Sequence, residues 1–252
     1  MPYGLYISAD GASVQNRRLD VIANNLANVD TAGFKEELAV FQARYAQDIL
    51  DGRVPPNAGK LADVGGGVEF FSTPTDFTPG PFKVTGIWSD VAIKGSGFFT
   101  VERDGRTALT RAGNFQLDNE GRLITQGGDP VLDETGAPIQ VDLADGPVTF
   151  GSGGEVLQNG EIVATLGVVA PRSLGDLTKI GGNCFQSLGP TQPIPPGERR
   201  LATETLEVSG VEPTTQMVSM IETSRVFEAN IRVMQAHDNM IGQLYGRLMR
   251  TN

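Results

Sequence analysis

Apolar or small residues recur every seven positions at both ends of this chain. Near the N-terminus one series is Leu5, Ala12, Leu19 and Leu26, and a second, offset by three, is Ser8, Gln15, Ile22 and Val29. No proline interrupts residues 3–30. This spacing predicts a helix with a narrow apolar seam rather than a broad core face. Gly4 and Gly11 weaken its first turns, and Gly33 is a natural stop shortly after it. Residues 213–250 return to the same period in Met220, Phe227, Met234, Ile241 and Leu248. Met217, Ile231 and Tyr245 flank that seam, Ser224 and Asp238 interrupt it, and Pro213 suits an early helical position. At 1.5 Å per residue such a helix reaches roughly 50 Å.

The middle of the chain reads differently. Residues 38–50 are expected to form a short helix carrying Phe41 and Tyr45. Asp51-Gly52, Pro55-Pro56, Gly65-Gly66-Gly67 and Pro79-Gly80-Pro81 then rule out long regular elements, so residues 36–85 predict an extended connector with short strands. From residue 88 to 205, β-branched and aromatic runs alternate with turns. The runs are Asp90–Ile93, Phe98–Glu102, Thr107–Arg111, Arg122–Thr125, Val148–Phe150 and Ile162–Val169. Asp104-Gly105 and Asn159-Gly160 favour the positive φ of tight hairpins, and turns about ten residues apart predict a small antiparallel β domain. Pro193–Pro196 reads as a second connector.

The expected fold class is therefore α+β. The N- and C-terminal helices pack together as a coiled-coil-like domain, and extended connectors join them to a central antiparallel all-β domain. The expected segments are an N-terminal helix in 1–35, a connector in 36–87, the β domain in 88–205 and a C-terminal helix in 206–252. Neither terminal helix has a local partner, so the two are expected to pair. Apolar surface left over after pairing calls for neighbouring subunits.

Composition narrows the possible partners. A net charge of −10 and a pI near 4.6 argue against nucleic acid, whose phosphates need basic patches. No apolar run spans a bilayer, and Met1–Asp20 lacks the basic start and apolar block of a cleaved signal, so no membrane insertion is expected. The single cysteine, Cys184, permits no internal disulfide and reads as a small, partly buried residue. His237 is the only histidine and reads as an exposed or interfacial polar residue. One Cys and one His exclude most zinc sites and the common catalytic triads. Lys94-Gly95-Ser96-Gly97 lacks phosphate-loop spacing and reads as a turn. Glu36-Glu37 and Asp133-Glu134 read as solvated pairs, although a hydrolase built on two carboxylates leaves no local motif. No catalytic residue, cofactor or metal is expected.

Asp20–Lys35, DVIANNLANVDTAGFK, places three weak helix formers, Asn24, Asn25 and Asn28, in a helical pattern. Buried amides can fix packing register; a fraying helix end before a Thr-Ala-Gly turn explains them equally well. The segment resembles the signature of the bacterial flagellar axial proteins of rod and hook. That signature is an apolar helix, an Asn-Asn-(Leu/Ile)-Ala-Asn core and a Thr-x-Gly-(Phe/Tyr)-Lys step, here Asn24, Asn25, Leu26, Ala27 and Asn28, then Thr31, Gly33, Phe34 and Lys35. DVAIKGSGFFTV (90–101) with LTRAGNFQLDNEGRLIT (109–125) is similar to the family's β domain, and residues 206–235 to its C-terminal region. Length argues against the longer hook proteins and against the simplest rod proteins, and the wording of the motifs favours a proximal-rod over a distal-rod type.

The resemblance implies a non-enzymatic subunit of the flagellar rod in the periplasmic space. Export through the flagellar type III gate would precede folding. Polymerisation with copies of itself and other rod proteins would follow, the helices forming an inner tube and the β domains an outer layer. Its self-assembly residues would be Leu5, Ala12, Leu19, Ile22, Asn24, Asn25, Leu26, Asn28, Thr31, Gly33, Phe34, Met220, Phe227, Ile231, Met234, Ile241 and Leu248. Phe41 and Tyr45 match the form of the family's export motif; they also have the spacing of packing neighbours on a helix. A secreted β module with helical dimerisation arms is the competing reading. It would give a closed dimer where a rod needs open heterologous contacts.

Overall fold

The computed structural model describes residues 3–45, 49, 51–53, 55 and 65–248. The chain divides into two compact units. One joins residues 1–27, 37–76 and 212–252; the other joins residues 28–36 and 77–211.

The first unit holds two helices, α1 (Tyr3–Ala27) and α2 (Pro213–Leu248), packed on each other as their seams require. They run antiparallel: a Cβ on Gly4 would touch the His237 ring at 3.4 Å, and one on Gly11 would meet the Asn230 amide at 3.1 Å. The two glycines that weaken α1 by propensity thus both face side chains of α2. His237 is half-buried against this contact.

The helix expected over 38–50 is a strand where it begins. Val40–Ala43 pairs antiparallel with Val68–Ser72, and Phe41 meets Phe70 edge to face at 6.0 Å. A local helical pattern loses here to a partner strand more than twenty residues further along the chain, because β pairing is decided by that partner. Residues 46–48, 50, 54 and 56–64 lie outside the described residues. The hairpin packs on α1, where Val14, Val68 and Phe70 line a common hollow.

The second unit is antiparallel β throughout its described strands. Its largest sheet has the order Leu177–Gly181, Cys184–Ser187, Arg106–Thr110, Phe98–Arg103, Val168–Pro171 and Thr191–Pro193. The last edge strand ends on Pro193, the first residue of the expected second connector, where a missing N–H is tolerated. Asp104 and Gly105, at φ 51° and 70°, turn the first hairpin as their dipeptide predicts. A smaller sheet joins Val148–Phe150, Glu155–Gln158 and Glu161–Thr165.

The run Ile162–Val169 was expected as one strand and is two, in different sheets. The break falls at Gly167, whose Cβ would lie 2.6 Å from Asp133 O and 2.1 Å from Thr100 Oγ1. Only a glycine lets the strands approach so closely. The core contains Val91, Phe99, Val101, Phe115, Val156 and Leu166, all fully or almost fully buried.

Cys184 lies in this core, and its thiol is pushed up by burial, partly offset by Arg103. The Asp133-Glu134 pair is not simply solvated. Asp133 accepts the Thr135 and Ala137 N–H groups, and Glu134 pairs at 2.5 Å with Arg199, itself almost wholly buried.

Candidate assembly elements

The residues expected to mediate assembly fall into two groups. The first lies along α1 and α2. In α1, Ala12 and Ile22 are buried, and Leu5, Leu19 and Leu26 are half-buried. In α2, Met220, Phe227, Ile231 and Met234 are half-buried. Together with Thr223, Asn230 and His237 they give the spacing of one helix face, and Asn230 and His237 fix that face as the one toward α1. Ile241 is 44% exposed: Gly4 stands opposite His237, so the described part of α1 ends before reaching it. The side chain of Leu248 lies outside the described residues.

A further stripe in α1 was visible in the spacing and missed. Ile7, Val14 and Val21 also recur every seven residues, on a second face, and Val14 and Val21 are buried. Val14 of this stripe shares a hollow with Val68 and Phe70 of the hairpin, so α1 is covered on two sides. Asn25 continues it one turn further and is 1% exposed. Its amide donates to Glu37 O at 2.8 Å and accepts from Glu37 N at 3.0 Å. The buried amide therefore bridges two stretches of its own chain, not the two helices. Asn24 is exposed.

α2 is covered on one face only. Val226, Val233 and Met240 stand 47%, 45% and 52% exposed, seven residues apart. Leu244 extends this stripe, and Met217 and Ile221 lie exposed on the opposite flank.

The second group is the Thr-Ala-Gly-Phe-Lys step, within the β unit. Thr31 Oγ1 donates to Asn28 Oδ1 at 3.2 Å, and the Thr31 N–H donates to Asn28 O, turning the chain directly after α1. Asn183 donates to Ala32 O at 2.8 Å. Gly33 takes φ 65°, and a Cβ there would stand 2.4 Å from the Arg111 carbonyl carbon, so glycine is required twice over. Its N–H donates to Glu207 O at 2.7 Å. Phe34 is buried beneath Lys179, whose ammonium lies 4.2 Å from the ring centre.

The step ends in a charge cluster that no local motif announces. Lys35 Nζ lies 2.5 Å from Glu207 Oε1 and donates to Thr78 O at 2.9 Å. Arg111 reaches Glu207 Oε2 at 3.4 Å, donates to the carbonyls of Ile93 and Gly95, and lies 5.1 Å from the Phe98 ring centre. All three charged side chains are 5% exposed or less. Burial lowers the Arg111 pKa from its ordinary value, and Glu207 partly restores it. A buried carboxylate between two cations, with the Gly80 N–H on Oε1 at 2.9 Å, is well compensated. Of the export pair, Phe41 is half-buried in its strand and Tyr45 is exposed.

Three family models match the chain. Residues 5–35 match a flagella basal body rod protein model, residues 92–165 a flagellar hook protein FlgE/F/G D1 domain, and residues 202–246 a flagellar basal body rod FlgEFG protein C-terminal region. Among curated relatives, the flagellar basal-body rod protein FlgF of Caulobacter vibrioides is 34% identical over 254 residues, covering 100% of both chains. FlgG of Buchnera aphidicola from Acyrthosiphon pisum is 33% identical, over 95% of this chain and 97% of its own. FlgG of Bacillus subtilis is 31% identical at the same coverage. The Asn-rich helix end, the Thr-x-Gly-Phe-Lys step and the long C-terminal helix all fall inside these matches, and the chain belongs to the flagellar basal-body rod proteins of the FlgF/FlgG type.

Proposed function

We propose that this protein is a structural subunit of the flagellar basal-body rod, joined to copies of itself and to other rod proteins through α1 and α2. The observation that carries the reading is the stripe Val226, Val233 and Met240. It has the spacing of a helix-packing seam and stays exposed on the flank beside Asn230 and His237, the residues that α1 meets. An exposed apolar seam on a long helix suits heterologous contacts, which extend into a filament when their rotation does not close.

The role is structural, not catalytic. The buried charges Lys35, Glu207, Arg111 and Arg199 are engaged in ion pairs within the fold. No helix among the described residues is long and apolar enough to cross a membrane. Passage through the flagellar type III export gate belongs to the same proposal, with Phe41 and Tyr45 read in the unfolded chain. The full-length match to a FlgF supports a proximal-rod place.

Val233→Asp tests the central point. The residue is 45% exposed, so the monomer should keep its helicity and melting temperature while rods fail to assemble and motility is lost. Normal motility would overturn the reading. A closed dimer in wild-type protein at raised concentration would favour the dimerising module instead.

A further inference from the structure

Lys35 and Glu207 are 172 residues apart in sequence, yet they form the most deeply buried ion pair among the described residues. The other partners of the Glu207 carboxylate come from residues 77–211. Arg111 faces Oε2, and the Gly80 N–H faces Oε1. A single cation comes from elsewhere, on the segment that leaves α1.

We propose that the Asn28–Glu36 segment is a latch on the β unit: strands around Glu207 and Arg111 form first, and Lys35 seats last. Three observations carry this. Glu207 already has two partners before Lys35 arrives, so its strand can pair with Phe82–Val84 without the latch. With residues 77–211 folded, Lys35 must still close the 43-residue separation to Thr78, which costs more entropy than the hairpins around it and delays the contact. The seat also admits only one shape, because Gly33 packs directly on the Arg111 backbone. A chain that has not folded there has no surface for Phe34 and Lys35 to dock on. The segment joined to α1 is thus fixed only on a finished β unit. This inference stands on contacts within one chain and does not depend on polymerisation.

Trp88 provides the probe. It is the only tryptophan, and it stacks on Phe150 in the β unit with ring centres 6.1 Å apart. In the full-length chain, Lys35→Met should accelerate unfolding of the Trp88 signal about tenfold or more, since a buried carboxylate loses a partner, with refolding changed by less than about twofold. The exposed control Lys83→Met should alter neither rate. Refolding slowed as much as unfolding is accelerated would mean early docking and would overturn the latch. Unchanged rates would overturn it too. If Lys35→Met fails to fold, Lys35→Arg keeps the cation with altered geometry and is read in the same way. Its loss must fall on the unfolding rate, and a loss on the refolding rate rejects the proposal.

Discussion

The two units of this protein bury their apolar residues to different degrees. In the β unit, Val91, Phe99, Val101 and Val156 are wholly enclosed. In the helical unit, much of the seam of α1 and α2 stays half-buried, and α2 keeps an apolar stripe open to solvent. The β unit encloses a core of its own, although Val84 and Leu188 stand exposed on its surface; the helical unit keeps open apolar residues at heptad spacing along α2. Equal heptad spacing in the two helices hides this contrast. α1 has two faces covered, by α2 and by the hairpin, whereas α2 has one.

The sharpest way to break the comparison is to open the closed core. Phe99 meets Phe115 edge to face at 5.2 Å and has no exposure. Phe99→Ala should cost about 3–5 kcal/mol, read as a large drop in the denaturation midpoint of Trp88 fluorescence. A change well under that would mean the β unit is not close-packed. A smaller effect is expected in the helical unit. Asn25→Leu leaves both backbone groups of Glu37 without their amide partner, at a cost of about 1–3 kcal/mol. Hydrogen exchange at the Glu37 amide should accelerate while the β core stays protected. Unaltered protection at Glu37 would show that the bridge is dispensable.

The smallest effect concerns pH. Asp118 is held below the ordinary carboxylate range, first by the Arg122 backbone N–H and also by the Arg122 guanidinium and the Glu120 N–H. A depressed folded-state pKa gives stability that is present above the unfolded value and lost as pH falls through the lowered one. Asp118→Asn should therefore slightly lower the β unit's stability near neutrality and flatten the acid side of its stability curve, the variant and the parent converging at low pH. A steeper acid limb in the variant would contradict the assignment.

Features governed by near neighbours were legible in the sequence. Asp104-Gly105 and Asn159-Gly160 take positive φ and turn their hairpins, and both helix seams appear at their seven-residue spacing. Val40–Ala43 was not legible as a strand because its partner, Val68–Ser72, lies far along the chain. The Ile7, Val14, Val21 stripe was present in the spacing, but nothing local said that a hairpin would cover it. Lys35 stood in the signature step, but nothing in the sequence singled out Arg111 or Glu207 or linked residues so far apart.

The sequence by itself determined the two heptad helices, the antiparallel β character of the middle and the family, because each rests on short-range periodicity, turn chemistry or a contiguous motif. Only the tertiary structure decided which helix face is covered and which stays open. It also decided that Asn25 bridges to Glu37 and that the Thr-Ala-Gly-Phe-Lys step ends in a buried ion cluster. These outcomes depend on what lies opposite a residue in space, and burial turns a charge or an amide into a structural commitment only once that partner is in place.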